Sequence, residues 1–324
     1  MEYKYLGSTG VQVSQLCFGT MSFGGDADKE TSAAMFHRCR EMGINFFDCA
    51  NVYQRGRAEE ILGSLIADCR DELVITTKFQ SQMGDEPNQG GASRRHIMSS
   101  VEASLERLNT DRIDLYFIHH FDANTPLEAI LRALDDLVTQ GKILYPAVSN
   151  FAAWQIAKAL GISVKEGWAR FECIQPMYSL VKRQAEVEIL PLAESEQLGV
   201  ISYSPLGGGL LTGKYGVSHR PESGRIIDNA SYSSRYDEAW MFDTAEKLTA
   251  FAQENGFDPV PLAVAWVAAH PAITAPIIGA RNLTQLEGSL KSLEIEMTSD
   301  LRAEISALSI EPPIATDRAE EQKS

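Results

Sequence analysis

Residues 45–63 read NFFDCANVYQRGRAEEILG, and this stretch contains one complete strand–loop–helix unit. An apolar run ending in Asp48 predicts a short buried strand over residues 45–50. Tyr53 follows in a polar loop, and the amphipathic pattern that begins near Arg57 predicts a helix over residues 57–69. The unit therefore places two ionisable side chains where a buried strand passes into the loop that follows it.

The same alternation of apolar and amphipathic segments continues in both directions from this unit. Strands are predicted at residues 16–20, 45–50, 73–79, 114–120, 143–149, 171–178, 199–205 and 275–280. Helices are predicted at residues 29–42, 57–69, 93–109, 126–140, 152–160, 186–198, 240–255 and 284–292. Eight strand–helix pairs with near-continuous apolar strands predict a (β/α)8 TIM barrel. The opening residues, YKYL, GSTG and VQVSQL, predict an N-terminal β-hairpin that closes the base of the barrel.

An open, doubly wound sheet is the alternative architecture, but it requires a G-x-G-x-x-G turn after the first strand. Residues 21–25 are MSFGG and do not fit that pattern. We expect one barrel domain over residues 1–310 and a polar, mobile tail over residues 311–324. Residues 206–238 form a long connection rich in Gly, Ser and Arg, which is typical of a functional loop.

The composition disfavours two kinds of binding partner. Hydrophobic residues make up 44% of the 324 residues, and the formal net charge is −15. This acidity disfavours nucleic acid or an anionic membrane surface as a partner. We expect neither a signal peptide nor a membrane span, because the N-terminus has no apolar segment and the most apolar stretch, residues 260–280, contains three prolines.

The cysteines and histidines indicate a reduced, metal-free protein. Five cysteines are scattered without C-x-x-C spacing, which favours free thiols in the cytoplasm over a disulfide framework. The histidines are dispersed, and no Cys/His pair has the spacing of metal ligands, so we expect no metal site. The sequence leaves the oligomeric state open.

Two further predicted strands also end in ionisable residues. Lys78 lies next to the last residue of LVITTKF, and His119 is followed by His120 at the end of DLYFIHH. In a barrel, the C-terminal ends of the strands meet at one face, where active sites lie. Polar groups buried there are costly unless they are paired. Asp48, Tyr53, Lys78 and a histidine therefore predict an active site at this face.

Each of these residues has a simpler interpretation when it is taken singly. Asp48 is compatible with a helix cap, Tyr53 with a tyrosine packed on the rim, and Lys78 with a solvated lysine. Spacing alone does not choose between His119 and His120, because a parallel strand is buried on both faces. The combination at three consecutive strands is what favours an active site.

Asp48, Tyr53, Lys78 and His119 together resemble the Asp-Tyr-Lys-His tetrad of the aldo-keto reductases. The resemblance covers residues 3–295 and includes SNF at 149–151, QPMYS at 175–179, YSPLGGGLLTGKY at 203–215 and GARNLTQLEGSL at 279–290. It implies reversible reduction of an aldehyde or ketone to an alcohol, with NADPH/NADP⁺ as cofactor and a small molecule as substrate. It also selects His119, because the family's fourth strand ends in an apolar residue followed by histidine.

The resemblance implies a role for each member of the tetrad. Tyr53 would donate the proton, Asp48 would orient Lys78, and His119 would polarise the carbonyl. A tyrosine has a pKa of roughly 10, and a nearby lysine ammonium lowers it by roughly 1–3 units. The Asp48 carboxylate opposes ionisation of the tyrosine, so we expect Asp48 to lie farther from Tyr53 than Lys78 does.

The resemblance also implies a nicotinamide site. Ser149, Asn150 and Gln175 would hold the carboxamide and Tyr203 would stack on the ring, although Asn150 and Gln175 alone also suit capping or turn roles. The remaining predicted cofactor contacts are Thr20, Met21, Asp48, Ser204, Pro205, Leu206, Gly207, Lys214, Arg225, Gly279, Arg281 and Gln285.

The glycine-rich stretch at residues 208–214 also matches G-x-x-x-x-G-K of a P-loop. Tyr215 stands where that motif has the Mg²⁺-binding Ser or Thr, so an NTPase is not indicated. Backbone amides here could still meet a pyrophosphate, with Lys214 and Arg225 as countercharges.

Arg281 is placed to meet the 2′-phosphate of NADPH. Gln285 follows the family pattern, but Gly288 and Ser289 stand where an acidic residue and Asn usually grip the adenine. The preference for NADPH is therefore expected to survive a weakened adenine contact.

Two other functional classes are compatible with parts of this pattern. A redox-sensing regulatory subunit resembling the potassium-channel β subunits would keep the barrel and the cofactor and act through a partner. A lyase or isomerase on the same fold would need carboxylates or a Schiff-base lysine and no cofactor site. The complete tetrad favours the reductase over both.

Overall fold

The computed structural model describes residues 1–316, and its centre is a closed barrel of eight parallel strands. In chain order the strands are β1 (Tyr3–Tyr5), β2 (Gln12–Ser14), β3 (Cys17–Gly19), β4 (Phe46–Asp48), β5 (Val74–Phe79), β6 (Ile113–Ile118), β7 (Ile143–Ser149), β8 (Cys173–Gln175), β9 (Gly199–Ser202) and β10 (Ala275–Gly279). Strands β3 to β10 pair in sequence order, and β10 pairs with β3 to close the barrel. The predicted (β/α)8 barrel is confirmed.

The α-helices of residues 1–316 surround this barrel. They are α1 (Lys29–Glu41), α2 (Arg57–Ile66), α3 (Arg94–Leu108), α4 (Leu127–Thr139), α5 (Ala153–Glu166), α6 (Ile189–Ser195), α7 (Arg225–Asp228), α8 (Ala230–Arg235), α9 (Ala239–Glu254), α10 (Pro259–Ala268), α11 (Leu283–Leu290) and α12 (Ser299–Ser306). Every helix predicted from the pattern is present, but α7, α8, α10 and α12 were not predicted. Helix α10 is buried at most of its positions, so its sequence, PVPLAVAWVA, carries no amphipathic period.

Some predicted bounds were wrong for identifiable reasons. The strand expected over 171–178 is confined to β8, because Pro176 has no N–H to donate to a neighbouring strand. The strand expected over 199–205 ends as β9, and Ser204 beyond it has a φ of +59°. The long connection at 206–238 contains α7 and α8. The predicted tail, 311–324, lies partly outside the described residues.

The N-terminal hairpin closes the base of the barrel, as predicted. Strands β1 and β2 are antiparallel, and Leu6 and Val13 are buried in the cluster that fills the barrel interior. The Leu6 side chain lies against Gly199, at the start of β9, where a Cβ would lie 2.5 Å from Leu6 Cδ1. Because the strands begin at this end, the opposite end carries their C-terminal residues and the loops that follow.

Two observations bear on the expected class of protein. Within residues 1–316, we find no helix of sufficient length and apolarity to span a bilayer. All five cysteines are free thiols, and four of them are buried.

Candidate active site

A buried ion pair lies at the C-terminal ends of β4 and β5. Lys78 Nζ donates to both carboxylate oxygens of Asp48, at 2.7 Å and 2.6 Å, and to the Cys49 carbonyl oxygen at 2.6 Å. The two residues are only 0% and 3% exposed. Burial of a lone ammonium would be costly, so three acceptors around Lys78 Nζ compensate for its lost water.

The Asp48 carboxylate has two further donors besides Lys78. Thr76 Oγ1 donates to Asp48 Oδ1 at 2.7 Å, and Gln175 Nε2 donates to the same oxygen at 2.9 Å. Burial alone would lower the pKa of Lys78, but the adjacent Asp48 carboxylate outweighs it and the pKa is raised. Lys78 is therefore a fixed cation at neutral pH, held on one side by Asp48.

Tyr53 lies over this pair on a tight turn. The turn occupies Tyr53–Gly56, where Gln54 and Arg55 have φ of 49° and 56°, and α2 begins directly after it. Left-handed backbone at two consecutive non-glycine residues persists only where the surroundings hold it. Lys78 Nζ lies 5.1 Å from the centroid of the Tyr53 ring.

Burial raises the pKa of Tyr53 to about 12, with Lys78 acting against it and Asp48 with it. The sequence predicts that Lys78 lowers the pKa of Tyr53, and its ammonium acts in that direction. Desolvation of the tyrosine outweighs that charge, however. The Lys78 charge acts on Tyr53 more strongly than the Asp48 charge does, and the expectation that Asp48 lies farther from Tyr53 than Lys78 does stays a prediction.

His119 completes the group from the end of β6. Its ring centroid lies 6.0 Å from that of Tyr53, in an edge-on arrangement, and His120 stacks on its other side at 4.9 Å. Burial, Lys78 and His120 lower the pKa of His119 to about 2. The imidazole is therefore neutral at physiological pH. Its Nδ1 is buried and has no hydrogen-bond partner within residues 1–316. His120 is exposed.

A chain of polar groups lies beside the tetrad at the ends of β7, β8 and β9. Tyr203 Oη donates to Asn150 Oδ1 at 2.7 Å, and Asn150 Nδ2 donates to the His119 carbonyl oxygen at 2.9 Å and to Ser149 Oγ at 3.0 Å. Asn150 adopts a φ of +57°, which a turn here requires. The structure therefore brings the four residues predicted to bind the nicotinamide to one edge of the barrel mouth, since Gln175 reaches Asp48 from the same edge.

The first of the remaining predicted contacts, Thr20 and Met21, follow β3. Thr20 is buried, and both its backbone N–H and its hydroxyl donate to the Asp48 carbonyl oxygen, at 2.9 Å and 3.0 Å. Its visible role is to fix the backbone at the end of β4. Met21 is half-buried at the start of the loop that follows.

The segment after β9 carries five more predicted contacts and is shaped by glycine. Gly207, Gly208 and Gly209 have φ of 57°, 67° and 106°, a run that residues with side chains rarely adopt. A Cβ on Gly208 would lie 2.9 Å from the rings of both Tyr232 and Tyr236, so α8 packs directly on this backbone. The predicted contacts here are Ser204, Pro205, Leu206, Gly207 and Lys214, of which Lys214 is exposed.

Two predicted phosphate ligands meet at one carboxylate. Arg281 Nε lies 3.0 Å from Asp26 Oδ2, and an Arg225 Nη nitrogen lies 3.8 Å from the same oxygen. Gln285 Oε1 accepts from the Arg281 backbone N–H at 3.0 Å, and Gly279 leaves open space where a Cβ would stand. Two guanidinium groups against one carboxylate leave a net positive charge here. Sequence reasoning missed Asp26, because a loop aspartate after the first strand carries no distinguishing pattern.

The packing of helix α11 bears on the departure at Ser289, and nothing in the structure explains Gly288. Ser289 is buried, and the neighbouring Glu287 forms an ion pair with Arg38 of α1 at 2.5 Å. The side chain at position 289 therefore faces the core of the protein. An Asn side chain at position 289 could contact an adenine only by leaving this buried position.

Among the described residues, no group of three or more His, Cys, Asp or Glu side chains is arranged to hold a metal ion. The polar groups at the barrel mouth are the Asp48–Lys78 pair, the Tyr53 and His119 rings beside it, and the side chains of Ser149, Asn150 and Gln175. This arrangement places the ring of a tyrosine beside a fixed cation and next to a neutral imidazole.

Comparison with known proteins identifies the family. The sequence model of the Aldo/keto reductase family matches residues 15–310. An uncharacterized oxidoreductase of Bacillus subtilis, YrpG, is 39% identical over 93% of this chain and 94% of its own length. A probable voltage-gated potassium channel subunit beta of Oryza sativa is 36% identical, covering 91% and 92% of the two chains. The versiconal hemiacetal acetate reductase of Aspergillus parasiticus is 31% identical, covering 93% and 94%.

Members of this family are oxidoreductases that act on small molecules and generally use NAD(P)H. The match spans the barrel and includes every strand that contributes to the site, from β3 to β10. The chain belongs to the aldo/keto reductase family.

Proposed function

We propose that this protein reversibly reduces an aldehyde or ketone to an alcohol with NADPH, with Tyr53 as the proton donor. The observation that carries the proposal is the position of the Tyr53 ring, 5.1 Å from Lys78 Nζ and edge-on to His119. The substrate oxygen gains negative charge as it accepts a hydride, and it needs a proton donor together with fixed positive or dipolar groups. Tyr53, Lys78 and His119 supply these.

Each residue of the tetrad then has one task. Tyr53 gives its hydroxyl proton to the substrate oxygen, and the Lys78 ammonium stabilises the phenolate left behind. Asp48 keeps Lys78 charged and in place through two short hydrogen bonds. His119, being neutral, orients the carbonyl by a hydrogen bond from its imidazole. When bound, NADPH would supply the hydride.

The residues present fit a phosphorylated nicotinamide cofactor. The side chains of Ser149, Asn150 and Gln175 offer hydrogen-bond donors and acceptors for a carboxamide, and Tyr203 offers an aromatic face. Arg225 and Arg281 carry more positive charge than their shared carboxylate, Asp26, neutralises. The excess charge supports binding of the phosphate groups. The free cysteines support a reducing, cytoplasmic location.

A regulatory role like that suggested by the names of the plant channel subunits is the second candidate. Those relatives from Oryza sativa and Arabidopsis thaliana are 36% and 35% identical and cover 92% of their own lengths. A redox sensor would oxidise its bound cofactor about once and then stop, because its role is to act on a partner protein. The two roles therefore differ in turnover number.

The proposed function is tested with a carbonyl panel of aromatic aldehydes, sugars, diketones and steroids, followed by loss of NADPH absorbance. We expect many turnovers per protein molecule with at least one class. Consumption that stops after about one equivalent of NADPH would instead support the sensor role. No reduction of any carbonyl in the panel, with NADPH bound, would argue against the reductase.

Replacing Arg281 with alanine should abolish a preference for NADPH over NADH. In the native protein, the guanidinium engages Asp26 through Nε, which leaves its Nη donors for a 2′-phosphate. We expect a preference of about tenfold or more in kcat/KM, equivalent to ~1.4 kcal/mol from one charge-assisted contact. Steady-state rates with each cofactor measure this ratio, and titration of both cofactors by fluorescence quenching measures the corresponding ratio of dissociation constants.

The matched control is Arg38→Ala, which removes a different arginine from contact with α11. Arg38 pairs with Glu287 on that helix and should leave the cofactor preference intact. Equal dissociation constants for NADPH and NADH in the native protein would rule out Arg281 as the phosphate ligand.

A further inference from the structure

A second buried ion pair lies behind the tetrad and takes no part in the chemistry described above. Glu59 of α2 is 0% exposed. Its Oε2 accepts from Arg107 Nε of α3 at 2.7 Å, and its Oε1 accepts from Thr77 Oγ1 of β5 at 2.5 Å. Within residues 1–316 this carboxylate has two donors, and burying a charge is costly even when it is paired.

These three residues connect the parts of the chain that carry the proton donor and its lysine. Thr77 directly precedes Lys78 in β5, so its side chain points outward to α2 while Lys78 points inward. Glu59 lies in the first turn of α2, which begins where the Tyr53 turn ends. The hydrogen bond between Thr77 and Glu59 therefore joins the strand of Lys78 to the helix that follows Tyr53.

Arg107 contacts the Tyr53 turn itself. A Cβ on Gly56, the last residue of that turn, would lie 2.7 Å from Arg107 Cδ and 2.8 Å from Arg107 Nε. Gly56 has a φ of +95°, and Gln54 and Arg55 before it are also left-handed. The Arg107 side chain thus lies directly beneath a turn whose backbone requires external support.

We propose that the Glu59–Arg107 pair positions Tyr53 over Lys78, by fixing the end of the Tyr53 turn against β5. Glu59 acts through the turn, because its hydrogen bonds within residues 1–316 go to Thr77 and Arg107 and not to Tyr53 or the Asp48–Lys78 pair. Without the pair, the end of the turn is no longer held against β5, and the Tyr53 side chain loses its alignment with Lys78. The rate should then fall, because a shift of about 1 Å in a reacting group is enough to lower it by about 10².

The test is Glu59→Gln, which keeps size and removes charge, measured in the native full-length protein. Since the proposal rests on the proposed reductase activity, we expect kcat to fall about 10- to 100-fold while KM and the Kd for NADPH change less than about twofold. Thr77→Val removes only one hydrogen bond and should give a smaller fall of the same kind. It also serves if Glu59→Gln does not fold.

The matched control is Asp114→Asn, which breaks another well-buried pair, Arg70–Asp114. Those side chains are 10% and 13% exposed, and Asp114 also accepts from the Ile75 N–H, near the start of β5 at the base of the barrel. We expect Asp114→Asn to lower Tm as much as Glu59→Gln does and to leave kcat unchanged. Equal falls in kcat for the two variants, or none for Glu59→Gln, would overturn the proposal.

A substrate-independent measurement separates this proposal from the proposed function. In the native protein labelled with ¹³C at Tyr Cζ, the signal of Tyr53 is identified by its loss in Tyr53→Phe. Glu59→Gln should change the chemical shift and titration of that signal, and Asp114→Asn should not. An unchanged Tyr53 signal in Glu59→Gln rejects the positioning role even if no carbonyl in the panel is reduced.

Discussion

Replacing Tyr53 with phenylalanine should lower kcat by about 10²–10⁴, the usual contribution of general acid catalysis. The change deletes only the hydroxyl, and the ring keeps its contacts with Lys78 and His119. NADPH affinity should barely move, because the predicted cofactor contacts lie elsewhere around the mouth. Single-turnover absorbance of NADPH and a fluorescence titration separate the two effects.

The control for this variant is Tyr116→Phe. The Tyr116 hydroxyl is also buried and has no partner within the described residues, and it takes no part in the site. Its loss should leave kcat unchanged. A Tyr53→Phe variant with native kcat would transfer the role of acid to His119. That role conflicts with the pKa of His119, which burial and Lys78 lower to about 2, because an imidazole that is neutral at pH 7 is a poor acid.

The architecture followed from the sequence because its signals were local. Each barrel strand is a short apolar run, and each predicted helix shows an amphipathic period, as in residues 45–63. Prediction fails where a segment no longer shows a clear difference between an apolar run and an amphipathic period. Helix α10 is buried nearly all round and therefore shows no period, and the ends of β8 and β9 depend on how Pro176 and Ser204 turn the chain.

The meeting of the candidate site residues at one end of the barrel was predictable from the sequence, but their pKa shifts were not. Topology alone brings Asp48, Lys78 and His119 to one face, since parallel strands end together. The pKa of Tyr53 depends on the balance between desolvation and the Lys78 charge, and a sequence does not fix that balance. Long-range contacts such as Gln175 to Asp48, 127 positions apart, carry no sequence signal either.

The contacts of the arginines predicted to bind the cofactor could not be predicted from the sequence either. Arg281 was predicted from its motif, but its partner Asp26 comes from a loop on the far side of the barrel seam. The Asp26 carboxylate therefore offsets part of the positive charge of Arg281 and Arg225. No motif in the sequence predicts this contact, because it depends on how the loop after β3 folds.

Replacing Lys78 with methionine should remove most activity at every pH, by about 10²–10³, the range for deletion of one electrostatic stabiliser. The pKa of Tyr53 is about 12 even though Lys78 lowers it, so loss of that charge raises it further. No accessible pH restores the missing charge beside the tyrosine. The rate is measured from pH 6 to 10 with saturating NADPH.

This variant also leaves Asp48 buried without its cation, at a cost of about 3–5 kcal/mol in stability. Loss of folding must therefore be separated from loss of chemistry. The double variant Asp48→Asn, Lys78→Met removes both charges, and its Tm should recover toward that of the native protein while its kcat stays low. Lys78→Arg keeps the charge with a different shape and should retain partial activity. If Lys78→Met kept its kcat and only raised KM, or if the double variant regained activity along with stability, Lys78 would be a binding and structural residue. Tyr53 would then need another source of stabilisation for its phenolate.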